Sequence, residues 1–396
     1  MKIKKVDAKI ISDSRKEKTI FVSIQTDAWN FSASSPTGKS TGKFEAKPYK
    51  KNLEGDIKSL KDFSEYFSEE NIDCIEDLRR IEEVVDGGIG ANSLFALESA
   101  VLKSLAKEQD KEVWQLINAD ANTLSPLKGV KGTRKFPRLV GNCVGGGKHS
   151  SSEKKPDFQE FLLIPNAKTV EESYKINNEI KNKIKLFLKI KDKDFAEKKN
   201  DEEAWISSLN EKEVLDVLRE INLPLGIDVA ASTFYGRGKY HYENPMLNRD
   251  GEEQMKYLSN LIKNFPIFYL EDPFEENDFD SFARLLKKFP DKLIVGDDLI
   301  VTSLKRLEKA IEKKSVNAII VKPNQCGSLL EVKRVCELAK KNNIKIVFSH
   351  RSGETEENIL ADLAFGFQAD FFKCGIDGKE REAKLKRLVE IERKLR

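Results

Sequence analysis

The sequence predicts an α/β protein, a (β/α)8 barrel with a separate α+β unit in front of it. From about residue 136 short apolar runs alternate with amphipathic helical stretches, the pattern of a parallel sheet with crossover helices. The first polar or charged residues closing six of those runs are Asp228, Glu271, Asp297, Lys322, His350 and Lys373. They are separated by 43, 26, 25, 28 and 23 residues, and the last four spacings are about one βα unit each. In a barrel such strand ends converge on the face that carries the active site, whereas a doubly wound sheet spreads them along a line.

In chain order, residues 2–11 and 19–26 alternate apolar and polar with period two, as half-buried strands do. The polar stretch 32–43 reads as a loop, and helical periodicity follows around Leu60, around Leu78 and over 92–107. These elements make up an α+β domain, residues 1–125. A Gly-, Lys- and Thr-rich stretch, 125–135, reads as a linker into the second domain, residues 136–396. There the expected strands are 161–164, 225–229, 267–270, 293–295, 318–321, 344–348 and 369–372. Between them, sets such as Phe279, Phe282, Leu285 and Leu286, or Leu304, Leu307 and Ile311, carry the helical period.

Composition narrows the function classes. The 396 residues include 69 Lys and Arg against 66 Asp and Glu, a net charge of +3, so no strong field draws the protein to nucleic acid or an acidic membrane. An apolar fraction of 39% supports a full core. No run approaches the ~18 apolar residues of a membrane helix, and residues 1–14 alternate like a strand rather than forming a signal peptide. A cytoplasmic location is expected. Five widely spaced cysteines without a CxxC suggest neither a disulfide framework nor a zinc site.

Three carboxylates meeting at one barrel mouth repel unless a cation sits among them, so Asp228, Glu271 and Asp297 are candidate ligands of a hard divalent ion such as Mg²⁺. Alone, each could equally cap a helix or pair with a lysine. Lys322 closes the apolar run 318–321, and a lysine beside a cation and a second ammonium, Lys373, is expected to have a depressed pKa and to serve as a general base. The stretch 349–355 combines His350, Arg351 and Ser352 at an expected helix start, which makes a phosphate or carboxylate cradle. Its plainer reading is a capping box of Ser352 with Thr355 or Glu356. Two Gly-Lys clusters, 37–41 and 145–149, lack the spacing of a nucleotide phosphate loop.

Taken together the motifs resemble the enolase family, the phosphopyruvate hydratases. They are Pro36-Thr37-Gly38-Lys39-Ser40-Thr41-Gly42, Gly146-Gly147-Lys148-His149, Asp157-Phe158-Gln159-Glu160-Phe161, the run 225–232, Glu271-Asp272-Pro273-Phe274, the run 295–299, Lys322-Pro323-Asn324-Gln325 and the run 349–355. The resemblance covers nearly the whole chain in order. It implies an N-terminal α+β capping domain on a modified (β/α)8 barrel that converts 2-phosphoglycerate to phosphoenolpyruvate with two Mg²⁺ ions. Asp228, Glu271 and Asp297 would hold the first ion and Ser40, on a mobile loop, would reach the second. Lys322 would remove the C2 proton, and Glu202, helped by Glu160, would protonate the departing C3 hydroxyl. Lys373 would neutralise the substrate carboxylate, Arg351 and Ser352 the phosphate, with Gln159 a further substrate contact and His149 and His350 lining the pocket. A homo-oligomer, a dimer or larger, also follows from the resemblance.

The chain departs from the family's pattern at a few points. The family's Gly-Asp-Glu-Gly-Gly is here Asn200-Asp201-Glu202-Glu203-Ala204, without the two glycines that free that loop. Thr233 stands where a glutamate is common, the stretch 150–156 is longer and more polar, and residues 13–18 lack the usual Gly and Pro. Two other functions therefore stay open: a related enzyme that takes the proton α to the carboxylate of a different acid, and a non-catalytic binding protein that kept the fold.

Overall fold

The computed structural model describes residues 1–39, 41–67, 70–118 and 135–396. The N-terminal part starts with an antiparallel meander of β1 (Lys5–Ser12), β2 (Lys18–Gln25) and β3 (Asn30–Ser34), in that spatial order. Its alternation buries Val6, Ala8, Ile20, Val22 and Ile24 on one face, and the helix Ala91–Glu108 covers that face with Phe95, Leu97, Val101 and Leu105. Apart from Lys135, the expected linker lies outside the described residues.

The second part is a closed barrel. Its strands in chain order are β4 (Arg138–Gly145), β5 (Glu160–Leu163), β6 (Trp205–Ile206), β7 (Leu225–Asp228), β8 (Tyr235–Gly236), β9 (Lys239–Glu243), β10 (Met246–Arg249), β11 (Ile267–Glu271), β12 (Leu293–Gly296), β13 (Ala318–Val321), β14 (Lys345–Ser349) and β15 (Phe371–Lys373). The ring runs β4-β5-β7-β11-β12-β13-β14-β15 and closes by the parallel pairing of β15 with β4, while β6 extends β4 outside the ring. Strands β8, β9 and β10 form a separate small antiparallel sheet. Successive residues of one strand face opposite ways: Ala318 and Ile320 join Val140, Leu162, Tyr269, Val295 and Val347 inside the barrel, whereas Ile319 and Val321 face the outer helices.

All seven expected barrel strands are present, and two features differ from the sequence reading. Strand β4 was not expected, because Gly141, Asn142 and Gly145 interrupt its apolar run. Gly141 is needed there, since a Cβ would stand 2.6 Å from Ile376 Cγ1. Strand β5 is antiparallel to both neighbours rather than part of an all-parallel sheet. No α-helix lies between β4 and β5, so the chain returns directly instead of crossing over.

The two parts meet at the barrel mouth. Thr37 and Gly353 exchange backbone hydrogen bonds of 2.7 and 2.9 Å, and a side chain at Gly353 would collide with Asp13 Oδ2 and Thr37 Oγ1. Among the described residues no helix is long and apolar enough to cross a membrane.

Candidate active site

The strand-end rule places its residues together. Asp228 and Glu271 close adjacent strands in register, Asp297 follows β12, Lys322 follows β13, His350 follows β14 and Lys373 closes β15. Lys373 is buried with its ammonium among three carboxylates: Glu271 Oε1 at 2.8 Å, Asp228 Oδ2 at 3.0 Å and Glu160 Oε2 at 3.1 Å. These partners outweigh burial and hold Lys373 well above its ordinary pKa. Burial, then Asp228, pushes Glu271 up to about 8, although the Tyr269 hydroxyl donates to its Oε2 at 2.6 Å. One ammonium is too little for so many buried oxygens, and an all-oxygen donor set with surplus negative charge suits a hard divalent cation.

Lys322 donates to Asp297. Burial pulls its pKa down, but the carboxylate outweighs burial and the net shift is upward. The depressed pKa expected from sequence is therefore not what this arrangement produces. Asp297 is shifted downward in turn: burial raises it, while Lys322 and then Lys373 lower it.

Sequence reasoning overlooked Asp272 and Asp298. Asp272 accepts the backbone N–H groups of Asp297 and Asp298 at 2.9 and 2.7 Å, and ligand oxygens of these three acids lie within 4.8 Å of one another. The acidic doublets Glu271-Asp272 and Asp297-Asp298 were the available signal.

The mouth also carries Glu160, Glu202, His149 and His350. Glu160 is the first residue of β5 and pairs in register with Asp228, so the reversed strand delivers its amino end to the mouth. Ligand atoms of His149, Glu160 and Glu202 lie within 4.8 Å of one another. His149 Nδ1 is 3.1 Å from Asp201 and 3.4 Å from Glu202, His350 Nε2 is 3.8 Å from Glu202, and Asn142 Nδ2 donates to Glu202 at 3.0 Å. Against the effect of burial, His149, His350, Arg381 and Lys373 hold Glu202 well below the usual carboxylate range. Burial, then Glu202, pushes Glu160 well above it. Like charges forced together thus drive the pair apart, Glu160 upward and Glu202 downward.

The loop without its family glycines keeps a tight turn. Glu203 takes the left-handed conformation at φ 65° that glycine adopts freely, and Asn200 Oδ1 accepts the N–H groups of Glu202 and Ala204 at 3.0 and 2.9 Å. Glu203→Gly removes about 1 kcal/mol of backbone strain but also the ion pair with Lys199. Its melting temperature should stay within a few degrees of wild type, whereas Glu203→Val should melt clearly lower; calorimetry of both checks this.

Arg351 and Ser352 lie under the loop from Thr37 to Glu45. Glu45 pairs with both Nη atoms of Arg351 at 3.0 Å, Asn324 Oδ1 accepts from Nη1 at 3.3 Å, and the backbone of Gly38 presses so close that a Cβ would lie 1.9 Å from Nη2. Ser352 Oγ accepts the N–H of Lys39 at 2.8 Å. The capping box read for Ser352 is absent, because the following helix starts only at Ile359. Gln159 lines the pocket, its buried Oε1 without a hydrogen-bond partner. Ser40 lies outside the described residues. The inner pocket holds about 30 Å³, and Arg351 lines both it and an outer cleft of about 900 Å³.

Comparison with known proteins agrees with this geometry. The family described as "Enolase, C-terminal TIM barrel domain" matches residues 134–396. The enolase of Methanosphaera stadtmanae is 36% identical over 418 aligned residues, covering 99% of this chain and 97% of its own length. That of Pyrobaculum aerophilum is 34% identical with 95% and 91% covered, and that of Natronomonas pharaonis 32% identical with 98% of each covered. With a matched barrel, near-complete alignment to these relatives and acids and lysines gathered at one mouth, the chain belongs to the enolase family.

Proposed function

We propose that the chain catalyses the reversible dehydration of 2-phosphoglycerate to phosphoenolpyruvate, the hydro-lyase step of glycolysis and gluconeogenesis, in a barrel of residues 136–396 capped by residues 1–125. The observation that carries this reading is the gathering at one mouth of Lys322 and Lys373 among strand-end carboxylates, with the Glu160, Glu202 and His149 group beside Lys373.

The C2 hydrogen of the substrate adjoins an ionised carboxylate, so its removal concentrates negative charge on one group. Lys322 accepts that proton as the neutral amine, so its ammonium must first release a proton and its pairing with Asp297 must give way as substrate binds. Lys373 faces the substrate carboxylate. Mg²⁺ held by Asp228, Glu271 and Asp297, with a second ion reached by Ser40, would neutralise these acids and polarise the substrate carboxylate. A proton carried by the Glu160–Glu202 pair and transferred to the departing C3 hydroxyl yields water, with the repulsion between the two driving Glu160 upward and Glu202 downward in pKa. Arg351 and Ser352 take the phosphate, Gln159 offers its unpaired oxygen, and His149 and His350 set the charge on Glu202. A cytoplasmic location and assembly into a dimer or larger homo-oligomer accompany this reading; nucleic acid and membrane play no part in it.

The test is ultraviolet absorbance of enolpyruvate on mixing protein, 2-phosphoglycerate and Mg²⁺; no growth of the signal, or equal preference for an unphosphorylated acid, overturns the reading. Mg²⁺ at a hundred times its Kd should stabilise the fold by about 2.7 kcal/mol, and chelation should stop turnover. A melting temperature indifferent to both Mg²⁺ and substrate would favour the binding-protein alternative instead.

A further inference from the structure

Arg381, near the start of the helix Lys379–Leu395, is only 1% exposed and heads the largest fully buried side chains. Its Nη1 donates to Ser14 Oγ at 2.9 Å, and its Nη2 donates to the carbonyl oxygens of Asp201 at 2.9 Å and Ser352 at 2.7 Å. The three acceptors belong to three different segments: the turn between β1 and β2, the loop that carries Glu202, and the turn that carries Arg351 and Ser352. All three acceptors are neutral. Among the described residues the one carboxylate within ion-pair reach is Glu380, at the 4.0 Å limit.

Burying a guanidinium without a close carboxylate is costly, and the fold makes deliberate room for it. A Cβ on Gly375 would stand 2.8 Å from the Glu202 carbonyl oxygen and 3.0 Å from Arg381 Cγ, so that position has to stay bare. One turn further along the helix, Lys384 pairs with Glu354 at 2.7 Å and donates to the Thr355 carbonyl at 2.9 Å, gripping the same turn from the same side. The helix therefore holds the Ser352 turn at two points, and only Arg381 also reaches the Glu202 loop. A planar fork can bridge carbonyls of separate loops, whereas an ammonium is a single point on a flexible stem.

We propose that Arg381 is a positioning residue that fixes the distance between Glu202 and the Arg351–Ser352 turn, and so sets the acid against a substrate anchored by its phosphate. It rests on the roles given above to Glu202 and Ser352. Arg381 makes no contact with Lys322, so its loss should separate the two halves of the reaction. Proton removal from C2 is read as exchange of that hydrogen with deuterated solvent, and hydroxide loss as phosphoenolpyruvate formation.

Arg381→Gln should slow phosphoenolpyruvate formation by about 10²-fold, the scale for displacing a reacting group by ~1 Å, while C2 exchange stays within about threefold of wild type. Arg381→Lys keeps the charge but cannot span both carbonyls; it should show the same separation, and it decides the matter if the Gln variant does not fold. Equal loss of exchange and dehydration in folded Arg381→Lys, or full retention of both, overturns the proposal. Failure of the wild type to turn over 2-phosphoglycerate, or retained exchange in Lys322→Ala, overturns instead the functional reading beneath it.

Discussion

Lys322→Ala is expected to lower turnover of 2-phosphoglycerate by about 10³-fold or more, at the upper part of the range for a general base. The side chain is largely buried, 14% exposed, and sits where β13 meets the mouth, its backbone N–H donating to Thr302 Oγ1 at 3.0 Å. Among the described residues no other amine except Lys373 is held among these acids, and Lys373 already faces Asp228, Glu160 and Glu271. Both C2 exchange and phosphoenolpyruvate formation should vanish together, with the near-ultraviolet circular dichroism unchanged. Wild-type rates in a folded Lys322→Ala protein would remove the proton acceptor from the mechanism.

Lys373→Met is expected to cost about 3–5 kcal/mol of stability in metal-free buffer, because it strips three buried carboxylates of their shared counter-charge. The deficit should depend on pH in a definite sense. Glu271 has its pKa raised by burial and by Asp228 from the ordinary 4.5 to about 8. A carboxyl raised in this way favours the fold most at pH below its unfolded value and loses that contribution as pH climbs through the folded value. Glu160, also raised, acts in the same direction. The variant should therefore be weakest near pH 8 and recover much of its stability near pH 5. Urea titrations at the two pH values in EDTA provide the measurement; an equal deficit at both would trace the loss to packing rather than charge.

The legible part of the site followed from one geometric rule. Parallel barrel strands end on the same face, so a reader who marks the first charged residue after each apolar run recovers Asp228, Glu271, Asp297, Lys322, His350 and Lys373. The rule is blind to Glu160, because β5 runs backwards and presents its first residue. It is blind to Asp272 because only one residue per strand end is marked, and Asp272 turns back into the site through a left-handed backbone at φ 41°. Strand β4 escaped because two glycines and an asparagine break its run, although nearly all of it is buried. Glu202 lies in an irregular loop between Lys191 and β6, where no periodicity points to it, and only the family motif located it. The missing glycines suggested an altered loop; at this point Glu203 adopts the left-handed conformation that glycine takes freely.

The cover formed by Gly38, Lys39 and Glu45 over Arg351 and Ser352 bears on kinetics. On the role proposed above for Arg351 and Ser352, a phosphorylated ligand engages them only after Gly38, Lys39 and Glu45 move aside, so binding becomes a two-step process in which opening precedes capture. In stopped flow the observed capture rate should then level off as ligand concentration rises, and that plateau would report the lifetime of the covered state.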